Sequence, residues 1–378
     1  MSTPIPRPKG VPFLGNIFDL NPDNRSMYSG TESSSSRGQD SQKSLCDKKR
    51  FRKYIGGPIV EIRQAIHDAL FTAFDHKESW AISHRIIAPK LSQQAVTQWF
   101  DEMRDIASEL IEKWNGLGAD NTISPMAELN RLNLEVTTMT LYGKRLNCLS
   151  GPEHPMFQAM EVATSEAMRR PTRPGILNWL VYGSKSKNAN ATMRRYGAEL
   201  IDNRKAHPTT RQGVMAALFE GKYPETGKSL TDSQVIDEIV SMPIGSSTAP
   251  CLVSSAIYFL LKQLHIMALA REEIDTDVGS GEFKQEHLSQ LKYLEASVRE
   301  SLRLSFAAPG FNIEPIPSND KRPIILAGGT YQVAHDQAMI VVLAGVNRDP
   351  AVFSEPLKFR PERMLGDAFD SLPPGVKK

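Results

Sequence analysis

Apolar residues recur at steps of three and four through residues 92–115, where Val96, Phe100, Met103, Ala107, Leu110 and Trp114 form one stripe. That period matches the turn of a helix with one face on a core. Ser92 can accept a hydrogen bond from a first-turn amide and Gly116 can end the helix, so one helix is predicted across 92–115. The same pattern predicts helices over 127–141, 156–168, 189–205, 232–262 and 286–304. Over 324–346 the character changes: Gly328-Gly329 sits between β-branched runs and predicts a short sheet, with 340–346 as a buried strand. No fixed-period repeat is present. The predicted fold class is mainly α with a small β component.

The N-terminal flank lacks this periodicity. Pro4, Pro6, Pro8 and Pro12 stiffen an opening segment, 1–24. Residues 25–43, with the serine run 33–36, read as a disordered insert, and 44–378 as the folded remainder. The cluster Asp47, Lys48, Lys49, Arg50, Arg52 and Lys53 reads as a solvated face. The most apolar stretches, around 252–261 and 340–346, fall short of a bilayer span, so the expectation is no transmembrane anchor and a cytoplasmic protein. Peripheral contact with a membrane stays open.

Composition narrows the chemistry. Forty-five Lys and Arg against 43 Asp and Glu give a net charge of +2, which supplies no electrostatic argument for a nucleic-acid partner. Three cysteines, Cys46, Cys148 and Cys251, are too few and too scattered for a disulfide framework or a CxxC zinc site.

Four groups of residues stand out. Glu300 and Arg303, three apart in VRESLRLS, share a helix face, and Arg363 follows Pro361-Glu362 downstream. Trp80 and His84 lie four apart and offer an indole and an imidazole donor, suited to carboxylates. In IGSSTAPC, Gly245, Ser247 and Thr248 sit inside a long apolar helix. Pro243 and Pro250 remove amide donors there, which would orphan the carbonyls of Ile239 and Ser246 and kink the helix.

In this order the motifs resemble the cytochrome P450 family, and HDALFTAFDHKESWAISHRIIAPKLSQQAVTQWFDEM, LKYLEASVRESLRL and the opening PIPRPKGVPFLGN are similar to the haem domain of its self-sufficient, reductase-fused fungal and bacterial fatty-acid hydroxylases. The resemblance implies a P450 fold and haem b. In it Glu300 and Arg303 lock to Arg363 beside the haem, and Trp80 and His84 bond its propionates. Gly245 and Thr248 would open the oxygen groove, with Ser247 where relatives carry an acid; a serine cannot relay protons as a carboxylate does. Phe71, Ile62, Ile66, Ala308 and Pro309 would line the substrate pocket.

The resemblance also implies two gaps. The insert at 25–43 stands where relatives have paired strands, which disturbs the N-terminal sheet and removes the residues that would anchor a fatty-acid carboxylate. The chain reads LPPGVKK before the family's FxxGxRxCxG loop, so the fold is expected to be incomplete at the C-terminus, with the axial cysteine beyond Lys378 and no metal ligand within the chain. The implied activity is haem-dependent hydroxylation of an apolar molecule, a fatty acid or a secondary-metabolite chain. An NADPH-dependent flavoprotein reductase, fused or separate, would bring FMN and FAD. The alternative is a truncated non-catalytic remnant, or a scaffold that binds apolar ligands without haem chemistry.

Overall fold

The computed structural model describes residues 3–4, 49–74, 76–118, 120–308, 310–320 and 322–373. The insert 25–43, Cys46 and Pro309 lie outside the described residues, as does the opening segment apart from Thr3–Pro4. The chain divides into two units, one from Met1–Gly56, Ser255–Glu273 and Leu291–Lys378, the other from Gly57–Ser254 and Ile274–Gln290.

In chain order the elements are β1 (Thr3–Pro4), β2 (Phe51–Lys53), α1 (Pro58–Ile66), α2 (Glu78–Ile87), α3 (Gln93–Thr97), α4 (Phe100–Asn115), α5 (Pro125–Tyr142), α6 (Pro155–Arg169), α7 (Gly183–Ala206), α8 (Val214–Glu220), α9 (Asp232–Ser246), α10 (Ala249–Lys262), α11 (Leu264–Asp277) and α12 (Lys292–Leu304). Then come β3 (Gly310–Pro315), β4 (Ile324–Leu326), β5 (Tyr331–Val333), β6 (Met339–Val342), α13 (Leu343–Asn347) and α14 (Gly366–Asp370). The mainly helical class with a small β component is what the periodicity predicts.

The first unit holds all the described strands. One sheet has the order β1-β5-β4, with β1 parallel to β5; the other runs β2-β3-β6, antiparallel throughout. Phe51, Ile313, Leu326, Val333 and Val341 form its apolar core. Gly310 is required where β3 meets β6, because a Cβ there would lie 2.3 Å from the Val341 carbonyl oxygen. The strand predicted over 340–346 is shorter. Val342 pairs with Gly310, where β3 begins, so residues beyond it have no partner strand and turn into α13.

The second unit is a helical body whose core draws on α1, α2, α5, α6, α7 and α9, with Ile66, Ile87, Leu134, Met156, Met193 and Ile239 fully buried. At Gly197 of α7 a Cβ would come within 3.1 Å of Ile236 in α9, so glycine lets these two helices approach. The single helix predicted over 92–115 is two helices. Ser92 does cap the first, accepting from the Ala95 amide at 3.3 Å, but the chain breaks at Trp99, whose indole turns into the core. Likewise 286–304 breaks before α12, where Leu291 is buried with ψ 65°. The stretch Asp232–Lys262 is long and apolar enough by length and composition to cross a membrane, which the count of short apolar runs did not anticipate. It is not one continuous helix, being interrupted at Ser247–Thr248.

Three weak acids are held neutral in this body. Burial, then Glu135, pushes the Cys148 thiol up to about 12. Burial likewise raises the phenols of Tyr142 and Tyr196. Each folded-state value lies above its unfolded one, so this stability is fully present below the unfolded values and is lost as pH rises through the folded ones. Raising the pH from about 8 to about 10 should lower the urea midpoint followed by circular dichroism, because the unfolded thiol ionises near 8.5. An unchanged midpoint across that interval would contradict the assignment.

Candidate functional site

Within the first unit the sequence-predicted charges meet. Glu300, Ser301 and Arg303 lie on the buried face of α12. The helix has no side-chain cap of its own; Glu273 supplies one, accepting from the amides of Tyr293 at 2.6 Å and Leu294 at 2.9 Å. A carboxylate there both satisfies first-turn donors and complements the helix dipole.

Arg303 grips Glu300 in a two-point contact, Nε to Oε2 at 2.7 Å and Nη2 to Oε1 at 2.8 Å. Arg363 Nε lies 3.0 Å from Glu300 Oε1, a charge contact whose N–H is not aimed along a hydrogen bond. The Arg360 amide donates to the same oxygen at 3.0 Å. Side-chain exposure is 0% for Glu300, 3% for Arg303 and 11% for Arg363, so this is not the solvated pair that the spacing alone suggests.

One carboxylate faces two guanidinium groups, which leaves an excess positive charge in a nearly dry site. Backbone carbonyls take it up. Arg303 Nη1 donates to Asn347 O at 2.8 Å and Pro356 O at 2.7 Å, and Arg363 Nη1 to Ser354 O at 2.8 Å. Both arginines also reach Lys358 O, at 3.2 and 3.4 Å. Phe353, fully buried, has its ring 4.7 Å from the Arg303 guanidinium carbon. Burial, aided by Arg303 and Arg360, draws the Arg363 guanidinium below its ordinary value, while Glu300 opposes the shift. The network ties α12 to the irregular stretch 347–363, which has little secondary structure of its own.

In the second unit, Trp80 and His84 stack on α2 with ring centres 5.0 Å apart and planes 23° from parallel. Ile82, Ser83, Ile86 and Ile87 bury the opposite face, which leaves Trp80 half-buried and His84 exposed. Two donors on one outward face suit an anionic group.

The predicted kink is a full break. α9 ends at Ser246 and α10 starts at Ala249, which places Pro250 in a first turn where its missing N–H is harmless. The carbonyl orphaned by Pro243, that of Ile239, accepts from the Tyr142 hydroxyl at 2.8 Å. Ser246 Oγ donates to Pro243 O at 3.1 Å and sits 3.0 Å from both Asn133 Nδ2 and Thr137 Oγ1, using its full hydrogen-bonding capacity. Ser247 Oγ turns back to Ile244 O at 2.7 Å, and Thr248 Oγ1 lies 3.4 Å from Gly245 O. Hydroxyls bonding back one turn loosen and bend helices. Space is open around Gly245, where an added Cβ would meet nothing within 4 Å.

The predicted pocket residues of the second unit, Ile62, Ile66 and Phe71, differ in exposure. Ile62 lines a cavity of about 10 Å3 with Ala65, Ala163, Ala167 and Ile244, room for about one water. Ile66 is fully buried in the core, and Phe71 is 43% exposed. Ala308 is exposed, in the other unit.

The profile of the cytochrome P450 family matches residues 6–373. The chain belongs to the cytochrome P450 family. It is 32% identical over 397 aligned positions to a bifunctional cytochrome P450/NADPH–P450 reductase of Acremonium egyptiacum, covering 99% of this chain and 37% of that protein. It is also 32% identical to a self-sufficient cytochrome P450 monooxygenase of Aspergillus kawachii, with the same coverage. A bifunctional cytochrome P450/NADPH–P450 reductase of Alternaria alternata is 34% identical over 384 positions, 97% of this chain and 34% of that protein. The chain thus spans little more than a third of the length of these relatives.

A family haem needs a thiolate. Cys148 is buried with its thiol raised to about 12, and burial also raises that of Cys251, so neither described cysteine offers a thiolate near neutral pH. Among the described residues no cluster of three or more His, Cys, Asp or Glu is placed to hold a metal. Trp80 and His84 are donors of the kind a haem carboxylate would take; the described residues provide no axial ligand.

Glu300→Gln should cost about 3–5 kcal/mol in urea unfolding, because it leaves two buried guanidinium groups without a counter-charge. Tyr142→Phe, which strips the partner from Ile239 O, should cost about 1–3 kcal/mol. Losses below about 0.5 kcal/mol for both, typical of surface sites, would contradict the burial argument.

Proposed function

We propose that this chain is the haem-domain portion of a P450-type monooxygenase that hydroxylates an apolar substrate with electrons from an NADPH-dependent flavoprotein reductase. The observation that carries this is the buried Glu300–Arg303–Arg363 network on α12, which lies within the span the family profile matches. Reductase fusions among the relatives support the electron source. A fatty acid or a secondary-metabolite chain is the substrate class the resemblance favours.

In this reading a thiolate-ligated haem supplies oxygen activation. The chain's own residues bind and orient. Trp80 and His84 offer donors to carboxylates, and the break at Ser247–Thr248 leaves an unobstructed backbone at Gly245. Proton delivery by Ser247 would require its hydroxyl to leave Ile244 O, since that oxygen now takes its proton. The axial thiolate comes from outside the described residues.

Two preparations test this. The 378-residue chain mixed with haem, reduced and exposed to carbon monoxide should give no thiolate–CO absorbance band. The same chain with an FxxGxRxCxG loop and a covering helix joined after Lys378 should give one, and with a flavoprotein reductase and NADPH it should hydroxylate a medium-chain fatty acid or another apolar probe. A clear band from the chain alone would refute the ligand argument. A loop-bearing chain that binds haem and probes but forms no product would favour the apolar-binding scaffold.

A further inference from the structure

In the second unit a cavity of about 200 Å3 lies where the chain leaves α2, forms α3 and, much later, enters α8. Its lining comes from the stretch 89–99 and from Gln212–Gly213. Clefts that take drug-sized ligands enclose roughly 300–1,000 Å3, so this one suits a smaller molecule.

The lining is polar without being acidic. Lys90 is its one charged residue, and among the described residues it has no carboxylate partner. Gln94, Gln98 and Gln212 add three carboxamides, of which only Gln212 makes a side-chain hydrogen bond among the described residues, a long 3.5 Å contact with Thr210 O. The Ser92 hydroxyl is already committed, donating to Pro89 O at 2.9 Å and accepting from the Ala95 amide at 3.3 Å. Single exposed glutamines need no explanation. Three of them beside a lysine, with no acid, are unusual around one cavity in a chain of 43 acidic and 45 basic residues. Pro89, Ala95 and Trp99 supply the apolar part, and Trp99, 7% exposed, is fixed in the core. Gly213, whose φ of +152° favours glycine, adds no side chain beside the indole; a Cβ there would stand 3.6 Å from the Trp99 ring.

We infer that this cavity binds a small organic monocarboxylate, its charged end on Lys90 and the carboxamide N–H groups and its apolar body against Pro89, Ala95 and Trp99. A carboxamide carries two donors and can turn them toward an anion, and a hydrogen bond to a charged partner is stronger than one between neutral groups. One ammonium matches one negative charge. A phosphate dianion would keep an excess charge and leave the apolar part of the lining unused. A neutral apolar molecule would strip water from the ammonium and amides without replacing their hydrogen bonds, and a cation would find no acid. The inference stands apart from the proposed oxidation and does not need haem.

Titration calorimetry of the purified 378-residue chain with benzoate should give saturable one-site binding that weakens as salt is added. Benzamide, a neutral molecule of the same shape, and inorganic phosphate should each bind at least about tenfold more weakly. Lys90→Met should lower benzoate affinity about tenfold and leave benzoate and benzamide equal. Ala95→Phe, which fills the cavity, should abolish binding of both. Circular dichroism should be unchanged in each variant, because neither side chain is buried. No benzoate binding, benzamide binding as tightly as benzoate, or either variant binding benzoate like the parent would overturn the proposal. Phosphate binding as tightly as benzoate or more tightly would also overturn it, since that would assign the cavity to inorganic oxyanions.

Discussion

The carboxylate of Glu300 is cut off from water and confronted by two guanidinium groups, and much of the first unit is arranged to make that tolerable. A lone buried carboxylate would be prohibitively unstable. Arg303 neutralises it and, through its own bonds to the carbonyls of Asn347, Pro356 and Lys358, already ties the helix to the downstream stretch. The second arginine over-compensates the charge, and the excess obliges the chain from Asn347 to Lys358 to turn its carbonyls inward. An irregular segment is thereby given one conformation by electrostatics rather than by helix or strand. Buried ionic groups often add little net stability compared with apolar packing, so their value here lies in specifying where α12 and the 347–363 stretch meet.

In the second unit the governing constraint is backbone accounting. A proline in the middle of a helix must leave a carbonyl without its amide, and the chain answers with the Tyr142 hydroxyl. The next turn is held by Asn133 and Thr137, which saturate Ser246 from α5. As a result the break at Ser247–Thr248 is a fixed feature, and the serine and threonine at it are occupied with their own helix. Chemistry asked of either hydroxyl starts from a committed hydrogen bond.

What the sequence disclosed follows from range. The Glu300–Arg303 spacing, the Trp80–His84 spacing and the need for a partner at Ile239 O are local properties of a helix, legible without a structure. The identity of that partner was not, because Tyr142 lies 97 positions away and nothing in its own neighbourhood marks it. Glu273 as the cap of α12 and Glu135 as the buried acceptor for Arg145, Leu146 and Cys148 escaped for the same reason. Helix boundaries failed where burial of one residue outweighed periodicity, at Trp99 and Leu291. The pocket assignment rests on position within the family rather than on any local pattern; Ile62 lines a small cavity, Ile66 lies in the core and Phe71 is exposed.

In this chain of the P450 family the brace on α12 and the break after α9 are each held by contacts within their own unit. The brace orders the 347–363 stretch without haem. Native-state hydrogen exchange on the haem-free chain tests this at the Arg360 amide, which donates to Glu300. This amide should be protected as strongly as the interior amides of α12 and should lose protection together with them as urea is added. Exchange of Arg360 at the rate of an open loop, while α12 stays protected, would contradict it.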